Sequence, residues 1–313
     1  MTASLVKDMK IYTKRNLRRE RKDFFVILML YVVACIVIGL DISMFVNLMV
    51  STFLAGLLVR SFCLLHELSH GNFLGKKSPI LTFIFIQFTR ATTVSDAPSW
   101  KIAHLYHHRH LGEFTPISPG GIPILTRKQY QSLSFRERVT YHVLRHPIFV
   151  ILFAYITIFM GISLYNFFNQ PKRMKTAILP VIIHAGYIVA LTYIFSFKIA
   201  FLVIVLPCCL SGAAGGFLFF IQHIYPDANY EKGGNIASFI DFGKILNWSS
   251  ANIGYHHIHH LNPGVPYYNL PKVQAEFGER MGVSRTAVNL KLFTTIFTAR
   301  FWDEETKQFS YHS

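Results

Sequence analysis

Four apolar stretches, each about as long as a bilayer is thick, constrain this chain more than anything else in it. They cover residues 24–40, 43–65, 177–197 and 199–221. An α-helix crosses a hydrocarbon core with about 20 apolar residues. Inside lipid it must also bond its own backbone N–H and C=O groups, which favours helices for such segments. Asp41 follows the first stretch and Lys198 separates the last two, so the four read as two helical hairpins. Arg60 interrupts the second stretch near its end, where a guanidinium can snorkel to the headgroups. Composition agrees: 52% of the 313 residues are hydrophobic and 15% are charged. A soluble domain carries about 25% charged residues. The expected fold is an all-α integral membrane protein. Cys35, Cys63, Cys208 and Cys209 lie in apolar runs without a CxxC pair, and read as small buried hydrophobes rather than a disulfide framework.

Two further runs set the topology. Residues 80–88 are too short to cross. Residues 148–168 are long enough, but crossing there would place the basic loop 171–175 outside and His223 on the opposite face from His66. We therefore expect segments 80–95 and 148–168 to lie at the membrane surface. The first 23 residues hold eight Lys or Arg, which suits a cytoplasmic N-terminus rather than a cleavable signal peptide. With four spans both termini are cytoplasmic and Lys198 is the only basic residue outside, as the positive-inside rule favours. The chain then reads as one domain, 1–313, with a cytoplasmic helical cap made from residues 66–147 and 222–313 and a Pro/Gly-rich loop over 116–123. The net charge of +15 fits a face turned to anionic headgroups, or to an acidic electron carrier, rather than to nucleic acid.

Histidine is the chemical anomaly. Of 15 histidines, most fall in three groups: His66 and His70; His104, His107 and His108; and His256, His257, His259 and His260. Spacings of three and four place side chains on one helix face, so His66/His70, His104/His107/His108 and His256/His259/His260 each form a facing set, with His257 outside it. Eight imidazoles on three helical faces are costly to bury as bare polar groups. Metal ligation compensates, and imidazole suits iron or zinc. The first group alone also matches HExxH, with Glu67 as the general base of a zinc protease. That reading leaves both HxxHH groups without a purpose. His110, His142, His146, His184, His257 and His312 read as non-ligands, with His184 bonding a neighbouring helix in mid-span. Trp100 reads as packing or interfacial anchoring.

These boxes, with their flanks, resemble the membrane fatty-acid desaturase family. Residues 252–270, from Asn252 through the third box to Leu270, look very like that family's third histidine box. Residues 99–104 resemble the approach to its second, and 216–223 its segment after the last span. The likeness runs from about residue 60 to the C-terminus and is nearest the bacterial Δ12/ω6-type acyl-lipid desaturases. The Glu67-Leu68-Ser69 core of the first box departs from that subgroup, as does a shorter N-terminal region, which bears on regiochemistry more than on chemistry.

The resemblance implies a cytoplasmic cap holding two iron ions on His66, His70, His104, His107, His108, His223, His256, His259 and His260. His223 enters by resemblance alone. It also implies a water-mediated metal contact from Asn252. Glu67, Asp96, Glu113 and Asp227 are candidate carboxylates to hydrogen-bond the far ring nitrogens of the ligands. The activity implied is O2-dependent insertion of a double bond into a lipid-linked acyl chain. An unactivated C–H bond has no acid–base route to cleavage, so a redox metal is required. No fused cytochrome b5 motif is present, so electrons are expected from a separate ferredoxin or cytochrome b5-type carrier. The expected location is a bacterial inner membrane, or the endoplasmic reticulum if the source is eukaryotic. The alternatives are a related di-iron hydroxylase or ketolase on fatty acid or carotenoid, the zinc protease, and a non-catalytic scaffold.

Overall fold

The computed structural model describes residues 2–114, 122–170, 172, 174–230 and 236–310. Most of the expected loop over 116–123, and His312, lie outside the described residues. The labelled elements, in chain order, are helices α1 (Leu17–Gly39), α2 (Met44–His70), α3 (Pro79–Thr93) and α4 (Ala97–Arg109). Next, α5 (Pro147–Ala154) continues through the π-helical turn Tyr155–Met160 into α6 (Gly161–Asn169). Then come α7 (Lys175–Ile194), α8 (Phe197–His223) and the short α9 (His256–Leu261). A hairpin of two three-residue strands, Phe301–Asp303 and Gln308–Ser310, is the only sheet among the described residues.

Among the described residues four helices, α1, α2, α7 and α8, are long and apolar enough to cross a membrane. The expected spans are met with shifted ends. The first helix begins earlier, because Asn16 caps it by accepting the Arg19 N–H and the basic run continues the helix. The second runs on past residue 65 to His70. It stops at Gly71, whose φ of 79° gives the left-handed turn that a side chain resists. Tyr31, Ile38, Leu54, Leu57, Leu58, Leu202 and Cys208 form a buried core between α1, α2 and α8. At the far end of the bundle Lys198 pairs with Asp41 at 2.7 Å and ties the two hairpin turns together.

All nine proposed ligands cluster, so the ends of α2 and α8 carrying His70 and His223 lie at the same end of the bundle. The N-terminal residues Leu5 and Met9 pack under Tyr255, Ile258 and Leu270, beside the third box. The C-terminal residues Trp302 and Phe309 pack with Phe220, Ile221 and Ile224, which flank His223, so both described chain ends are at the histidine end. The helix 147–169 also begins and finishes there. Its start follows Arg145, which is bonded to the cap carbonyls of Pro123 and Ala299. Its last turns pack on α4 and on the segment Lys175–Ile178 at the start of α7. Its first part, Pro147–Thr157, forms with Phe135–Val143 a pair bent by 56°.

Helix α3 differs from the surface-lying segment expected at 80–95. It packs against α7 and α2, and its C-terminal end reaches mid-bundle. The last carbonyls of a helix lack intrahelical partners, so ending one in the interior needs donors from elsewhere. Here His184 Nδ1 donates to the Ala91 carbonyl at 2.6 Å and Cys208 Sγ to the Thr92 carbonyl at 2.8 Å. Those donors, from two separate spans, are what permit a 15-residue helix to end inside.

Candidate metal centre

The nine histidines divide into two groups. His66, His70, His104, His108 and His259 bring ligand nitrogens within 4.8 Å of one another, and His107, His223, His256 and His260 do the same. Box helices straddle the two groups. The i, i+4 pair His104/His108 serves the first and His107 the second. His256/His260 serve the second and His259 the first.

Each donor has a local reason for its place. His66 and His70 sit on the last turn of α2. The second box lies on α4, whose N-terminus is capped by Asp96. That carboxylate accepts the Ser99 N–H at 3.1 Å and hydroxyl at 2.8 Å, and pairs with buried Arg90 at 2.7 Å. His223 closes α8, and its Nδ1 donates to the Ile236 carbonyl at 3.1 Å, which turns Nε2 toward His256. The third box is held from both sides. Asn72 Nδ2 donates to the Pro263 carbonyl at 2.7 Å, and the His257 N–H to the Ser238 carbonyl at 3.2 Å.

The nitrogens converge closely. Nε2 of His104 lies 2.8 Å from that of His70 and 2.9 Å from that of His108, which is 3.0 Å from His259 Nε2. In the second group His256 Nε2 is 3.2 Å from His223 and 2.9 Å from His260. One proton cannot satisfy so many facing lone pairs. An ion with bonds of about 2.1 Å to two imidazoles at right angles sets their nitrogens about 3 Å apart. Both ring nitrogens of His66 are buried without a hydrogen-bond partner, as are Nδ1 of His256 and His259. The donor set therefore fits two metal ions. Burial, reinforced by neighbouring imidazoles, holds His104, His107, His256, His259 and His260 well below the usual imidazole range. Burial likewise, with the neighbouring imidazoles of His66 and His223, pushes His108 down to about 3. These rings are neutral near pH 7, the state that binds metal.

Glu67 is buried behind the first group. Its Oε1 stands 3.5 Å from His66 Nδ1 and 4.0 Å from His259 Nδ1, and its Oε2 accepts the Tyr267 N–H at 3.0 Å. It does not line the apolar cavity between α2 and α8, so it is not placed as the general base of an HExxH protease. The other three candidate carboxylates are elsewhere. Asp96 is a helix cap. Glu113 and Asp227 are exposed, with no contact to a box histidine among the described residues. Asn252 adopts a left-handed φ of 58° and its Nδ2 donates to the Tyr267 carbonyl at 2.9 Å. His257 bonds Gln274 at 2.8 Å, away from both groups. His184 bonds Tyr155 and Ala91, as a mid-span non-ligand should.

A mainly apolar cavity runs from the imidazoles down between α2 and α8. His66, His104, His107, His223 and His256 form its upper end, and Leu58, Thr93, Tyr155 and Cys208 its lower end. Cys208, Ser211, Gly215, Phe219 and Gln222 line one wall at helical spacing, with small residues leaving the room. Trp100 is buried in the other wall, stacked on His104 at 5.4 Å and set edge-on to Phe62. It packs, and is no interfacial anchor. Its position four residues before His104 was the available signal. Sequence reasoning missed Tyr155 and Tyr267 altogether.

The family model described as fatty acid desaturase matches residues 42–290. A protein named "Fatty acid desaturase" from Bacillus subtilis (strain 168) is 31% identical over 287 residues, covering 87% of this chain and 79% of its own.

Proposed function

The chain belongs to the fatty acid desaturase family, and from that premise we propose that it is a membrane-bound, O2-dependent di-iron desaturase acting on a lipid-linked acyl chain. Family membership makes it an oxidoreductase with a fatty-acid substrate. The observation that carries the finer reading is the convergence of nine histidines into groups of five and four at the head of an apolar cavity.

In this reading His66, His70, His104, His108 and His259 hold one iron, and His107, His223, His256 and His260 the other. Two such ions supply the oxygen-activating redox chemistry that side chains lack. The protein contributes placement. The cavity between α2 and α8 takes an extended alkyl segment, excludes water from it, and presents one stretch of chain to the upper end. Trp100 and Phe62 fix the wall beside His104. Glu67 orients His66 and His259 through their far nitrogens, a partnership that fixes tautomer and raises ligand basicity. Asn252, four residues before His256, would offer a further, water-mediated contact to the metal. Electrons come from a separate ferredoxin or cytochrome b5-type carrier meeting a basic cytoplasmic face. The whole chain acts as one domain with both termini cytoplasmic, in a bacterial inner membrane. The Δ12/ω6 acyl-lipid type is the subgroup favoured by the third box.

Expression in a host with simple lipids, followed by fatty-acid profiling with and without oxygen, tests this. A new double bond formed only with oxygen is the expected result. A hydroxylated chain, or no new product in protein carrying two irons, overturns it.

A further inference from the structure

At the lower end of the cavity stands a hydrogen-bonded pair, Tyr155 and His184, that the metal chemistry does not use. Tyr155 lies on the π-helical turn of the helical segment 147–169 and lines the cavity, and its hydroxyl is bonded to Nε2 of His184 on α7. His184 Nδ1 faces the Ala91 carbonyl, which can only accept, so that nitrogen carries the proton and Nε2 accepts from Tyr155. The direction of the chain of bonds is thereby set, from Tyr155 to His184 to Ala91, across three elements. The ring cannot slide outward along α8 either. A Cβ placed on Gly212 would stand 2.9 Å from both Cβ and N of Tyr155, so the segment rests directly on the α8 backbone. Isolated π-turns in helices mark sites where a side chain is re-aimed for a purpose.

We propose that the Tyr155–His184 pair is the floor that sets how far an acyl chain reaches beyond the metal groups, and so selects chain length and double-bond position. The proposal rests on the acyl-chain reading of the cavity given above. The methyl end is the end that enters. The lining is apolar, and an ester-linked headgroup would have to shed its water to go first. Counted along α2, the floor at Leu58 is eight residues from His66, about 12 Å at 1.5 Å per residue. A deeper floor lets more carbons pass the metals, which moves the double bond away from the methyl end and admits longer chains. A raised floor does the reverse.

The test is the product pattern of the full-length enzyme in cells supplied with a series of saturated chains differing by one carbon. Tyr155→Ala is expected to shift the double bond by at least one carbon away from the methyl end, or to move the preferred chain to longer homologues. Leu58→Phe, which fills the same space from the opposite wall, is expected to shift both in the opposite direction. Should Tyr155→Ala fail to accumulate, Leu58→Phe still decides. Unsaturated product with the wild-type position and length preference in the variants overturns the floor while leaving the desaturase reading intact. No unsaturated product from wild type overturns both.

Discussion

The carboxylate of Glu67 faces Nδ1 of His66 at 3.5 Å and, from its own helix, Nδ1 of His259 at 4.0 Å. One side chain thus backs two imidazoles that the chain places almost two hundred residues apart, both in the five-histidine group.

Replacing Glu67 by Gln keeps the size and the bond from the Tyr267 N–H, but removes the charge that the two imidazole N–H groups would meet. Loss of such a partner lowers metal affinity by about 10–100-fold. Iron retained against a graded series of chelator concentrations is the measurement. Glu67→Ala should lose more than Glu67→Gln. Affinity equal to wild type in both would remove Glu67 from this role.

His107→Ala and His259→Ala should be inactive for different reasons. His107 is one of four donors in its group, whereas His259 is one of five. The first change should drop iron from about two to about one per chain, and the second should weaken retention in the other group with less loss of content. His257→Ala, whose ring bonds Gln274 instead, should keep both irons and much of the activity. Metal analysis beside product profiling separates these outcomes.

The spans and eight of the nine clustered histidines were legible because each rests on local pattern: long apolar runs, and spacings of three and four. What the spacing concealed was the split within a box. At about 100° per residue, positions three and four from His104 lie about 100° apart on the helix. His107 and His108 therefore flank opposite sides of one face and serve different groups. The interior end of α3 was not legible, since its orphan carbonyls are satisfied by His184 and Cys208 from distant spans. Tyr155 and Tyr267 act through partners 29 and 200 residues away, and no periodicity carries such information. Asp96 looked like a candidate beside the ligands because it precedes the second box, yet proximity in the chain made it the cap.

Acid should destabilise the chelated protein through its buried neutral histidines. Burial holds His257 down to about 4, against the opposing bonds of Gln274 and Ser238, whereas the unfolded chain protonates near 6.5. Between those values unfolding takes up a proton, so stability is full above about pH 6.5 and falls as pH drops toward 4. Thermal unfolding in detergent from pH 7 to 4.5 should show this decline. His257→Gln, which cannot titrate, should lessen its slope. An unchanged slope would mean that His257 carries none of it.

Arg60 is 3% exposed in α2, far from snorkelling to water. It instead pairs with Asp23 of α1 at 3.3 Å, donates to the Trp248 carbonyl, and lies 4.5 Å above the Trp248 ring. Asp23 also accepts the Tyr267 hydroxyl, so the pair joins the first span to the loop that holds Glu67. Removing one member of a buried pair leaves the other charge uncompensated and costs about 3–5 kcal/mol when both are fully enclosed. Asp23 retains 19% side-chain exposure, so Asp23→Ala should cost about 1–3 kcal/mol. Asp23→Asn should cost less, because it still accepts from Tyr267. The double variant Asp23→Ala/Arg60→Leu should recover part of the loss, since the stranded guanidinium is gone. Denaturation in detergent, arranged as a double-mutant cycle, measures the coupling. Strictly additive single effects would show that the pair contributes nothing as a pair.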